Sequence, residues 1–357
     1  MERDTRERDS TERDGAEGRA ARRVGRARPK RKRWMKAATA VAGVTVCLAT
    51  ASVGHAVNEA RRAAPKTDPS PVPEDTWSSK DAAAYWTPDR MAGAAPAGSD
   101  TPARPAAPTA SAPTTRSAAP KGTAAAAARA GRTARHFDGI PSVGVLFSVD
   151  GDAKAHHCTA SVVHSPHGNM ILTAGHCKPG TRAAFVPQYR SGAASQPYGV
   201  WAIEHTFAYP GRGTTGAGAD LDFAFATVAP SEDGDDLEDV TGGNTLSPTP
   251  GYTNDVTVIG YPNVRNDPQD RAVRCATTTS RLTGTHELRM ECGGFYGGTS
   301  GSPWLSDFDE DSGTGRVIGV IGGLNGGGPK GPDADRISYS PYFGTKVLTL
   351  YARAAEK

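Results

Sequence analysis

Three side chains far apart in the sequence could together make an alcohol attack a carbonyl carbon. His176 stands at the end of the apolar run MILTAGHC, which finishes at Cys177, and Ser300 lies in the glycine-rich string GGTSGSPW, Gly297–Trp304. Between them, Asp222 opens the alternating apolar stretch DLDFAFATV. A serine hydroxyl is a weak nucleophile at neutral pH and needs a base that takes its proton as it attacks. An imidazole can do this and later hand the proton to a leaving amine. A buried carboxylate would hold that imidazole in one tautomer. Attack creates an oxyanion, and a glycine-rich turn can aim backbone N–H groups at it, each contributing roughly 3–4 kcal/mol in the transition state.

Two aspartates compete for the orienting role. Asp220 and Asp222 fall on the same face of the expected strand, so the alternation alone does not separate them. The remaining histidines lack a comparable context; His156, His157, His164 and His167 are expected near a solvated hairpin.

The order His, Asp, Ser differs from the orders of subtilisins and α/β-hydrolases, and GTSGS lacks the GxSxG spacing of a nucleophile elbow. With TAGHC and GGTSGSP, the chain resembles the trypsin/chymotrypsin superfamily, in particular its bacterial secreted branches, over about residues 137–351. The resemblance implies two packed six-stranded antiparallel barrels, with His176 and Asp222 from the first and Ser300 from the second. It selects Asp222, because the family pattern of Asp, an apolar residue and Ala fits Asp222-Phe223-Ala224. It assigns the oxyanion donors to the amides of Gly298 and Ser300, and pairs Cys158 with Cys177 and Cys275 with Cys292.

Two departures limit what the resemblance carries. Trypsin-like zymogens have an aspartate immediately before the nucleophile, where this chain has Thr299, so activation by insertion of a new N-terminus is not expected. The position that is acidic in trypsins falls near Gly294, and Ile321 stands where glutamate-specific relatives carry histidine. The expectation is an apolar or small side chain before the scissile bond, with Phe295, Ile321 and Leu324 lining its pocket.

The elements that must position these groups are short. VGVLFSV, HCTASVV, MILTAGHC, DFAFATV, DVTVIGY, HELRMEC and RVIGVIGG alternate or run apolar over strand lengths, with turn signals such as SPHGN, PGR, EDGDD and SGTG between them. Helical periodicity is expected only at the C-terminus, in KVLTLYARAA. Many short strands with one late helix predict an all-β fold rather than an α/β sheet.

The 357 residues divide by composition. Residues 1–36 hold 14 Lys/Arg against 7 Asp/Glu, whereas residues 135–357 hold 17 against 24, so the basic balance of the whole chain belongs to its front. A surface for nucleic acid needs its positive charge on the folded domain, and that class of partner is excluded on this ground. Residues 37–57 carry no charged side chain and follow a basic run, as an export signal or single membrane anchor would. Gly54-His55-Ala56 offers a cleavage site and Ala49-Thr50-Ala51 a second. Residues 58–134 read as an Ala/Pro-rich disordered linker or pro-segment, with residues 135–357 as the folded domain.

One patch departs from the linker's composition: Trp77, then AAAYWTPDRMAG with Tyr85, Trp86 and Met91. It reads either as a short nascent helix within disorder or as an aromatic segment contacting the domain.

Cys47 lies inside the apolar stretch, leaving an even set of four cysteines in an exported domain, as two disulfides require. A zinc site of His156, His157, Cys158 and Cys177 is the rival reading, and it has no CxxC or HExxH spacing. The acidic clusters 232–239 and 307–311 read as solvated loops rather than calcium loops, since neither has an EF-hand spacing.

The sequence thus predicts an exported, monomeric serine endopeptidase that acts on proteins or peptides and needs no cofactor. It would be secreted, or held on the outer face of the membrane by residues 37–57. The alternative is a catalytically silent relative that binds proteins through the same cleft.

Overall fold

Val143–Val149, the run VGVLFSV, is buried at all seven positions because it has apolar neighbours on both faces. In the computed structural model, which describes residues 77–96, 132–149 and 155–357, this strand (β3) is one of six that form a closed ring. The segments 1–36 and 37–57, on which the expected export signal falls, lie outside the described residues. Among the described residues no helix is long and apolar enough to cross a membrane.

The ring comprises β3, β4 (Ala155–Val162), β5 (Met170–Thr173), β6 (Thr181–Pro187), β7 (Trp201–Ala208) and β8 (Ala224–Val228). Neighbours run β4-β3-β6-β7-β8-β5, and antiparallel pairing of β5 back onto β4 closes a six-stranded barrel. Closure removes the open edges that an unpaired sheet would present. Alternate residues of the strands feed two separate clusters, as the period of two demands. Leu146, Val162, Ile171, Phe185, Trp201 and Ala226, one from each of the six strands, gather in one cluster. Val145, Phe147, Leu172, Val186 and Phe225 face the other way, into a cluster shared with Ile259, Leu305 and Val317 of the second half.

The second half divides its strands between two sheets. One is six-stranded, in the order β2 (Arg135–His136), β11 (Val273–Thr278), β10 (Asp255–Gly260), β14 (Pro303–Asp309), β15 (Thr314–Val320) and β9 (Thr245–Leu246). Beside it lies a three-stranded sheet of β12 (Ser280–Arg281), β13 (Leu288–Glu291) and β16 (Ile337–Ser340). Val256, Val273, Leu288, Trp304 and Ile318 from both sheets bury one another.

The helix Thr345–Ala354 follows the apolar period of KVLTLYARAA: Val347, Leu350 and Ala354 are buried, and Tyr351 meets Phe225 edge-on at 5.8 Å. A helical turn at Leu237–Thr241 was not expected inside the first acidic cluster. Leu237 is fully buried there, and Glu238 accepts a hydrogen bond from the Ser165 amide, so half of that cluster is a docked turn. The second cluster forms a hairpin tip, where Asp309 accepts the amides of Asp311 and Ser312.

Regular structure begins ahead of residue 135. Ser79–Tyr85 (α1) starts at a capping box between Ser78 and Asp81, and Pro88–Ala92 (α2) has proline in its first position. Ala82, Trp86, Met91 and Ala94 of this stretch are buried in the cluster that holds Phe147. The indole N–H groups of Trp77 and Trp86 donate to the Ala183 and Arg182 carbonyls, each at 2.8 Å. The short strand β1 (Ala95–Pro96) then runs parallel to β4 at His156 and His157.

Candidate active site

The apolar strand β5 ends at Thr173, and the chain turns through the 3-10 segment Gly175–Cys177, which presents His176. Gly175 permits a close approach: a Cβ there would come within 2.8 Å of the Arg212 side chain, 3.0 Å of the Phe223 amide nitrogen and 3.1 Å of Asp222 Oδ1. That close approach lets Asp222 Oδ1 accept the His176 backbone N–H at 2.7 Å. Asp222 Oδ2 lies 2.7 Å from His176 Nδ1 and also accepts the Gly323 N–H at 2.7 Å. The carboxylate is wholly buried, and the imidazole remains 12% exposed to solvent.

The route to Asp222 corrects the sequence reading. Gly216–Leu221 coils as a 3-10 turn and β8 begins only at Ala224, so neither Asp220 nor Asp222 lies on a strand face. The two aspartates separate by environment instead. Asp222 is fully buried with three donors, whereas Asp220 is half-buried. Arg212, unforeseen from the sequence, donates from Nε to the Gly175 carbonyl at 2.8 Å and braces the same turn.

Ser300 is half-buried in the turn ahead of β14. Its carbonyl accepts the Thr159 N–H at 2.8 Å and lies 3.9 Å from Cys177 Sγ, which sets this turn directly against the one bearing His176. The Cys177 sulfur is bonded to Cys158, so that contact is packing rather than donation. Both disulfides, Cys158–Cys177 and Cys275–Cys292, are present, and the zinc reading of the first pair is thereby removed. Gly301 donates to the Ile321 carbonyl, Ser302 to Thr299 and Thr299 to Tyr296. Among the described residues, no protein acceptor is found for the amides of Gly298 and Ser300. Gly298 adopts φ +101°, a conformation open to glycine and strained for other residues.

The residues expected to line a pocket are placed unequally. Phe295 and Ile321 are almost completely buried in the cluster of the second half, while Leu324 is half exposed. His157 also departs from expectation. It is buried beside Phe147, and loss of solvent pushes its imidazole down to about 4, so it is neutral near pH 7.

Sequence reasoning missed Glu287. Its carboxylate accepts the Leu324 N–H, and burial, with Asp220 and Asp222 nearby, pushes its carboxyl up to about 7. A carboxyl whose folded value is raised stabilises the fold fully below its unfolded value near 4.5, and this contribution is lost as pH rises through about 7. Glu287→Gln keeps an acceptor for Leu324 but cannot ionise. The wild-type chain should therefore lose more thermal stability than the variant between about pH 5 and about pH 8. Parallel melting curves for both proteins over that range would contradict the assignment.

Comparison with known proteins agrees with the mostly β fold. A family model described as a trypsin-like peptidase domain matches residues 158–320. A crystal structure of the protease Anisep from Arthrobacter nicotinovorans aligns with a TM-score of 0.54 at 25% identity, covering 63% of this chain and 100% of that one. The thermostable serine protease AL20 from an extremophilic microorganism shares the fold, with a TM-score of 0.50 at 22% identity over 61% of this chain and 98% of that one. Among curated proteins no match is found.

Proposed function

We propose that this chain is a trypsin/chymotrypsin-like serine protease that cleaves internal peptide bonds of exported or extracellular substrates through an acyl-enzyme. The observation that carries the reading is the buried Asp222 carboxylate, bonded to both the backbone and the ring of His176 beside the Ser300 turn. Ser300 is the nucleophile, His176 the base and acid, and Asp222 the group that orients it. As Ser300 Oγ bonds to the carbonyl carbon, its proton passes to His176 Nε2. The C–N bond then breaks and the departing amine takes that proton. Water, deprotonated by the same imidazole, releases the acyl group and restores the serine. The amides of Gly298 and Ser300 stabilise both tetrahedral oxyanions.

Two disulfides support an oxidising location, since such bonds persist mainly outside the cytosol. Export by residues 37–57 and action as a monomer belong to the same proposal. Glycine in place of a carboxylate at position 294 itself supports an apolar or small residue before the scissile bond, with Leu324 at the cleft. A peptide library cleaved chiefly after Glu, Arg or Lys would reject that preference.

A fluorophosphonate probe tests the function. The native chain should be labelled, the adduct should map to Ser300, and prior unfolding should abolish it. A folded chain that stays unlabelled would instead support a silent binding module.

A further inference from the structure

The wall against which the Ser300 turn lies is Tyr261–Asn263. A Cβ on Gly298 would come within 2.7 Å of the Asn263 amide nitrogen and 2.8 Å of the Tyr261 carbonyl. The Asn263 N–H donates to the Gly297 carbonyl at 2.8 Å, one residue ahead of the Gly298 amide. The turn's geometry is therefore taken from this wall, and the wall depends on how Asn263 is held.

Asn263 is wholly buried. Its Oδ1 accepts the Arg265 N–H at 2.8 Å, and its Nδ2 donates to the carbonyl of Ala94. Both partners have fixed polarity, so only a carboxamide satisfies the site; a carboxylate would set a negative oxygen against a carbonyl. Ala94 closes the docked stretch anchored by Trp77, Trp86 and Met91. Two hydrogen bonds thus connect that stretch to the turn: Ala94 to the Asn263 side chain, and the Asn263 backbone to Gly297.

We infer that Asn263 is a positioning residue that ties residues 77–96 to the turn carrying Ser300, so that docking of this stretch sets the aim of the oxyanion amides. The inference rests on the serine-protease reading and supplies a support for the turn where Thr299 leaves no acidic side chain to provide one.

The full chain carrying Asn263→Asp tests it. The expected result is a 10–100-fold fall in kcat with KM within about twofold of wild type, because a misplaced oxyanion site weakens the transition state more than the bound substrate. Thr241→Ala, outside both the docked stretch and the Ser300 turn, removes hydroxyl contacts to the Leu237 and Gly242 carbonyls, and it should lower Tm while leaving kcat unchanged. If Asn263→Asp does not fold, Met91→Ala loosens the stretch without touching the turn and should give the same split. A wild-type kcat in folded Asn263→Asp, or in Met91→Ala where Asn263→Asp does not fold, would overturn the inference, as would an equal kcat loss in Thr241→Ala. Hydrogen exchange at the Gly301 and Ser302 amides gives a readout independent of turnover. It should quicken in Asn263→Asp even if the wild-type chain hydrolyses nothing, and unchanged exchange would overturn the coupling while leaving the serine-protease reading intact.

Discussion

Asp222→Asn is expected to leave the chain folded and to lower kcat by about 10⁴-fold, the size of effect expected when the carboxylate orienting a serine protease's base is lost. The reason lies in the donor count. Three N–H groups, from the His176 backbone, the His176 ring and Gly323, converge on two carboxylate oxygens. A carboxamide keeps one acceptor and turns an NH₂ toward a donor on the other arm. The lowest-cost response is for His176 to change tautomer, so that Nδ1 accepts from the amide and Nε2 carries the hydrogen. A protonated Nε2 cannot take the proton of Ser300. Asp220→Asn, half-buried and outside that set of bonds, should change kcat by no more than a few-fold. Steady-state rates for the two variants decide the matter. If Asn at 222 retains activity within tenfold of wild type, or Asn at 220 shows the larger loss, the assignment of the orienting carboxylate is wrong.

That pair of aspartates also marks how far the sequence can be read. The apolar runs announce the strands of the first barrel because closure buries one face of β3 and packing against the second half buries the other, so that its sequence runs apolar rather than alternating. The terminal helix is legible from its period of 3.6. DLDFAFATV keeps its alternation to the eye, yet its first residues coil, because Gly216 and Gly218 permit a tight turn that packs Ala219 inward. The family pattern therefore singles out the aspartate that meets the His176 ring, while the alternation misplaces that residue on a strand. Glu287 and Asn263 carry no motif. Their importance comes from burial against loops more than thirty residues away in the chain, and neither periodicity nor spacing encodes such a contact. Residues 79–92 form two short helices that composition obscures, since alanine and proline dominate the surrounding sequence, while the specific signals, a Ser78/Asp81 capping box and proline at a first position, are local and brief.

Gly301→Ala is expected to be the most damaging small substitution near the site. Gly301 sits at φ +86°, where an L side chain costs roughly 1–2 kcal/mol. Its position is also crowded. A Cβ would lie 2.1 Å from the Thr159 carbonyl oxygen and 2.3 Å from Thr173 Oγ1, atoms of two adjacent barrel strands. Neither belongs to a flexible side-chain end that can swing away, so β4, β5 or the turn itself must move. Overpacking of this kind adds roughly 1–3 kcal/mol, which with the backbone strain lowers Tm by about 10 °C for a domain of this size. The displaced turn carries Ser300, and a shift of about 1 Å at a nucleophile costs on the order of 100-fold in rate. Gly192→Ala separates the two causes. It has φ +68° with nothing within 4 Å of the added methyl, so it should show the strain alone, a fall of a few degrees with full activity. Equal melting temperatures for the two variants would mean that Gly301 is not pressed against the barrel, and that the turn bearing Ser300 is held by something other than this contact.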